Sequence, residues 1–287
     1  ADGFVNALRE HGFFVNENAF SNYPFTDLSI AATLNMCYIH EEDGFSEASY
    51  KKGYLIERIK QNKATQYFKA EGYDVIMPAK WGGTGEYLEN NTIYKRVTSL
   101  FSSEFIEITI RTSLLRVFSS DIIWEKRMDP LRRAILSEIR DLKLLHAPIM
   151  PTFLYAHVVS PHIPFIFRAD GSPTISSGNG TSHPGEDYVE QARFIGENII
   201  EIIANLRHRD PGAVIIVQGD HGMEDWWVGP YSSYGWNRPP QNFVDTRFRI
   251  LSAIFTPPGV VIPEHDTPVN LFRYLCNAIF DSKLEVL

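Results

Sequence analysis

Apolar positions along the chain follow two alternating spacings. Residues 4–9, 28–38, 49–70, 130–146, 186–209 and 268–280 carry them three and four apart, the period of an amphipathic helix. Short apolar runs closed by Gly or Pro at 13–15, 73–77, 152–159, 213–217 and 249–255 predict strands. Residues 91–124 read as helical with a weaker period, and Pro130 falls at the first turn of the helix that it opens. Strands and helices alternate throughout. The expected fold class is therefore α/β, a three-layer α/β/α arrangement around a mostly parallel sheet. No linker, repeat or low-complexity tract interrupts it, so residues 1–287 are expected to form one domain.

The most informative run is Ala213-Val-Ile-Ile-Val-Gln-Gly-Asp220-His221-Gly222. An unbroken apolar run reads as a buried parallel strand. Its carboxyl end is where an open α/β sheet places chemistry. A carboxylate and an imidazole there suit a divalent metal such as Zn or Mn, and the flanking glycines let both side chains turn to one point. The plain alternative is a turn Asp beside a surface His. A second candidate is His162 in Ser160-Pro-His-Ile-Pro164, after a strand that carries His157. Prolines on both sides fix the backbone around that imidazole. The third is Ser21-Asn22-Tyr-Pro-Phe-Thr26, just before an apolar helix. A hydroxyl at a helix N-terminus lies where an arriving anion is stabilised. The alternative there is that Thr26 or Asp27 caps the helix.

Composition changes this picture in three ways. The net charge is −8 and no basic cluster appears, which argues against a nucleic-acid partner. No apolar stretch reaches the length of a membrane span. Cys37 and Cys276 lie in apolar helical patterns, as free thiols or as a single disulfide. The chain also opens in a helical pattern at Ala1 with no initiator Met, as if entered partway.

Taken in order, a Thr before an apolar helix, a strand followed by Pro-His-Ile-Pro, and a strand followed by Gly-Asp-His-Gly resemble the alkaline phosphatase/sulfatase superfamily. The branch they are most similar to includes lipoteichoic acid synthases and phosphoethanolamine transferases. The resemblance implies that Thr26 is nucleophile and metal ligand, that Ser29 holds the position of the motif's Ser, and that Asp220 and His221 bind one divalent metal (Mn, Zn, Mg or Ca). It implies a catalytic His162, with Asn22, Trp81 and His157 as substrate-binding candidates. It further implies a hydrolase or transferase that acts on phosphate esters or phosphodiesters through a phospho-threonine. The partner would be an anionic ester, such as a lipid headgroup or cell-envelope polymer, met outside the cytoplasm by a membrane-tethered parent protein.

The chain departs from the family pattern in three places. The family's first metal ligand lies on a strand before the nucleophile helix, and no residue here matches it; the resemblance therefore implies a sheet without its first strand and an N-terminally incomplete chain. Thr replaces Cys at the nucleophile, which removes formylglycine chemistry. Trp81 has no Arg beside it. Two other readings stay open: a sulfate-ester hydrolase, and a non-catalytic domain that binds a glycan or lipid headgroup through its aromatic segment between Trp226 and Trp236.

Overall fold

A computed structural model of the chain describes residues 2–42, 46, 52–77, 116–146, 148–174, 184–223, 241–265 and 267–287. In chain order the first elements are α1 (Asp2–Glu10), β1 (Phe14–Asn16), α2 (Thr26–Asn35), α3 (Lys52–Lys60), α4 (Lys63–Ala70) and β2 (Asp74–Ile76). They are followed by α5 (Arg116–Lys143), β3 (Thr152–Leu154), α6 (Pro184–Arg209), β4 (Ile215–Gln218), α7 (Gln241–Phe248), β5 (Ser252–Phe255) and α8 (Leu271–Phe280). Contacts divide the chain into two units. The first takes Ala1–Ala7, Pro78–Ala147 and Ala156–Arg209; the second takes Leu8–Met77, Pro148–Tyr155 and Asp210–Leu287.

The second unit holds every described strand. β5 lies between β1 and β4 and pairs antiparallel with both, with Val217 opposite Ala253 and Val15 opposite the same residue. β2 pairs parallel with β3, Val75 opposite Phe153. The expected mostly parallel sheet is thus met by β2 and β3 only, among the described residues. An unbroken apolar run reports burial on both faces and not the direction of the neighbour, and β4 runs against β5.

Packed against α3, α4 and α8, helix α2 is the centre of this unit. Leu28 to Asn35 are buried without interruption. A helix with no polar face must be enclosed on all sides. Its carboxyl end is tied down by side chains that satisfy its last carbonyls. Asn35 Nδ2 donates to the Ala31 and Arg58 carbonyls at 2.8 and 2.9 Å, and Arg273 donates to the Met36 carbonyl at 2.6 and 2.9 Å. On the other side, Phe68, Tyr73, Phe153, Phe272 and Phe280 form an aromatic cluster in which Phe68 stacks on Phe153 at 4.4 Å.

In the first unit, α5 packs on α6. Helix α5 starts well before the expected boundary, so Pro130 lies inside it and not at its first turn. The segment after β3 docks on α6. Phe167 stacks on Phe194 at 4.8 Å and Phe165 meets Tyr188 edge-on at 6.0 Å. The strand expected over 152–159 stops at Leu154, and the chain carries no regular structure through His157. Both cysteines are free thiols. Trp81, the region 91–115 and the aromatic segment from Trp226 to Trp236 lie outside the described residues. No described helix is long and apolar enough to cross a membrane.

Candidate active site

Thr26 is the first residue of α2. The cap residue before it is Phe25, which is extended (φ −131°, ψ 138°) and makes no side-chain cap bond. Neither Thr26 nor Asp27 is therefore the cap. The Thr26 hydroxyl is directed elsewhere, to Nε2 of His221 at 3.1 Å, across 195 residues of sequence. The hydroxyl of this first helical residue thus meets a His from the end of another strand and leaves the cap position to Phe25.

His221 is held in one orientation by its other ring nitrogen. Nδ1 lies 2.8 Å from the Gly222 carbonyl, which only accepts. The neutral ring therefore carries its hydrogen on Nδ1 and presents a lone pair at Nε2. Asp220 Oδ2 lies 3.6 Å from the same Nε2, and the two side chains are 22% and 10% exposed. Nε2 thus faces one oxygen at 3.1 Å and another at 3.6 Å. Ligand atoms about 2.1 Å from a common ion are separated by about 3 to 3.4 Å; the 3.1 Å separation falls in that range and the 3.6 Å one lies just beyond it. Nitrogen with hard oxygens fits Zn or Mn. Among the described residues no three His, Cys, Asp or Glu side chains gather. The donor set here is a carboxylate, an imidazole and a hydroxyl.

Backbone packing fixes the turn that presents this pair. A Cβ on Gly222 would lie 2.0 Å from the Thr246 carbonyl oxygen and 2.9 Å from that of Arg249. Gly222 is thus required by close approach of another chain segment. Its N–H donates to the Arg247 carbonyl at 2.7 Å. Gly219, the other glycine of the motif, meets nothing closer than 3.5 Å and is not required in that way.

Two neighbours were not expected from the sequence. Arg247 is 9% exposed, although an arginine is ordinarily a surface residue. Its guanidinium donates to the Gly222 carbonyl at 3.3 Å and lies 5.7 Å from the centre of the Phe25 ring. It braces the residue before Thr26 and the residue after His221 together. Its spacing of four from Phe243, also buried in α7, is the available signal. Tyr155 follows β3, where its N–H donates to the Ile76 carbonyl at 3.0 Å. Burial, and then the charge of Asp220, push its ionisation well above the ordinary phenol value, so it stays protonated.

Asn22 has its amide committed inside the fold. It donates to Thr33 Oγ1 at 2.8 Å and accepts from the Val269 N–H at 3.1 Å, which joins α2 to the turn before α8. Thr26, Asp220, His221 and Asn22 all belong to the second unit. His157 and His162 belong to the first. His157 is half-buried. His162 is exposed between two cis bonds, Ser160–Pro161 and Ile163–Pro164, and its Nδ1 closely approaches the Ile163 carbonyl.

A model of the Sulfatase family matches residues 4–226. No match is found among curated protein sequences. The fold is similar to the C-terminal periplasmic domain of phosphoethanolamine transferase EptC from Campylobacter jejuni, with TM-score 0.56, 14% identity, and 96% of this chain against 80% of that one. The corresponding domain of EcEptC from Escherichia coli gives 0.51, 13%, 96% and 74%. Ps i-CgsB in complex with k-i-k-neocarrahexaose gives 0.51, 14%, 94% and 64%. The chain belongs to the Sulfatase family, within the sulfatase-like alkaline phosphatase superfamily, whose enzymes transfer phosphoryl or sulfuryl groups.

Proposed function

We propose that residues 1–287 act as one catalytic domain of a metal-dependent hydrolase or transferase, which works on phosphate esters or phosphodiesters through a phospho-threonine at Thr26. The observation that carries this reading is the 3.1 Å approach of the Thr26 hydroxyl to an imidazole nitrogen whose partner nitrogen is already committed. A divalent cation held by Asp220, His221 and Thr26 supplies a lowered hydroxyl pKa and charge compensation for the phosphoryl oxygens.

Thr26 Oγ bonds to phosphorus, the bond from phosphorus to the leaving alcohol breaks, and the hydroxyl proton passes to solvent. The first-turn N–H groups of α2 lie where the transferred group arrives. His162 donates a proton to the leaving oxygen and His157 steadies the substrate, roles that follow from the order of the motifs along the chain. Trp81 joins them as a substrate contact. The Asn22 amide, committed inside the fold, ties the last turn of α2 at Thr33 to Val269. Water or an acceptor alcohol then attacks phosphorus and restores Thr26. A substrate carried on a lipid headgroup or cell-envelope polymer outside the cytoplasm is consistent with similarity to periplasmic transferase domains.

Incubation with a phosphodiester, followed by intact-mass measurement, is expected to show one added phosphoryl group. Thr26→Ala is expected to lose that adduct and at least about a thousandfold in turnover while keeping its melting temperature. Full turnover in that variant would overturn the mechanism. Elemental analysis is expected to find a divalent metal in the native chain and to lose it in Asp220→Ala. Arylsulfates serve as the competing probe; turnover confined to them would favour sulfate-ester hydrolysis.

A further inference from the structure

His162 has an exposed ring, so its placement depends on what holds its backbone. That backbone is held from α6. Gln191 is 1% exposed and lies among the residues that dock the segment after Pro164. Its Oε1 accepts from the Ile166 N–H at 2.7 Å and from the Phe167 N–H at 3.2 Å. Its Nε2 donates to the carbonyl of His162 itself at 3.0 Å. A single buried amide thus bonds the His residue and two residues just beyond it.

The surrounding contacts fix the same stretch more generally. Phe165, Ile166 and Phe167 are buried, and Phe165 and Phe167 contact Tyr188 and Phe194 on either side of Gln191 along α6. Ala169 N–H reaches Glu190 at 3.4 Å. The aromatic pairs and Glu190 act beyond Pro164. Gln191 is the α6 side chain that reaches His162 itself. A buried amide with both ends satisfied is costly to disturb and geometrically specific.

We propose that Gln191 is the positioning residue for His162: it sets the backbone from which the imidazole reaches substrate. The inference rests on the reading that His162 handles the substrate. Gln191→Glu keeps the shape and the acceptor for Ile166 and Phe167, and it replaces the donor facing the His162 carbonyl with a carboxylate oxygen. Gln191→Met keeps the length and removes both ends.

The test is a double-mutant cycle on the metal-loaded full chain, with diphenyl phosphate as probe at near-neutral pH, because phenol is a leaving group that gains from a proton donor. Gln191→Glu is expected to lower kcat/KM about ten- to a hundredfold in a chain that still folds, with a lowered melting temperature because the altered group is buried. The His162→Ala/Gln191→Glu double variant is expected to be no worse than His162→Ala, because Gln191 acts through that ring. Losses that multiply in the double variant would overturn the proposal. If Gln191→Met fails to fold, the Glu variant alone decides. If His162→Ala turns over at the native rate, the reading of His162 has failed. Gln191 is then judged by NMR of the His162 ring, where one narrow set of signals should broaden or double in Gln191→Glu. Unchanged signals would overturn the positioning role.

Discussion

Two histidines in this molecule are held in opposite ways. His221 is fixed through its ring: Nδ1 is tied to Gly222, Nε2 faces Thr26, and the side chain is 10% exposed. His162 is fixed through its backbone, by Gln191 and an aromatic rack, while its ring stays exposed. The first arrangement suits a ligand, whose nitrogen must point one way before anything binds. The second suits a group that meets a substrate and follows it through a reaction, with its anchor fixed and its tip adjustable.

A glycine beside His221 and one nine residues after His162 sharpen that contrast. At Gly222 the opposing atoms are backbone, the Thr246 and Arg249 carbonyls. At Gly171 the nearest obstacle is the Phe194 ring, 2.6 Å from an added Cβ, and the backbone has φ +79°. Backbone cannot step aside, whereas a ring can rotate. Gly222→Ala is therefore expected to cause the largest effect, a stability loss of about 3 kcal/mol or more with loss of bound metal, read by urea unfolding and elemental analysis. Gly171→Ala is expected to cost about 1–3 kcal/mol and to leave metal content unchanged, with activity lowered through the His162 segment. Equal metal loss in both variants would erase the distinction between the two regions.

Arg247→Met gives the smallest expected change. It removes the donor to Gly222 and the cation beside Phe25 but keeps most of the buried volume, for about 1 kcal/mol in unfolding. Because Arg247 touches Phe25 and Gly222 alike, turnover is expected to fall more than stability. A variant that melts lower yet turns over normally would make Arg247 a core residue only.

The candidate residues of the second unit could be picked out in the sequence because their signals are local. A strand end reading Gly-Asp-His-Gly and a Thr before an apolar run are visible within a few residues. The target of the Thr26 hydroxyl was not legible, since capping and catalysis ask for the same residue at the same helix end. The sheet direction was hidden because burial on two faces looks alike in parallel and antiparallel strands. The burial of Arg247 was not legible because an arginine is ordinarily exposed; in a helix it shares the buried face with Phe243. Gln191 lies 29 residues from the carbonyl that it binds, in a long helix with many polar positions, and nothing local marks it.

Helix α2 carries Thr26 on a segment that is buried from Leu28 to Asn35 and anchored at its far end by Asn35 and Arg273. Such a helix leaves evolution little room. A change at almost any of its positions disturbs the core before it alters the chemistry. Diversity of substrate choice among relatives should accordingly be written in the segments around α2, and a scan of all substitutions should find α2 the least tolerant stretch of the second unit, its sequence constrained as interior even where it touches no substrate.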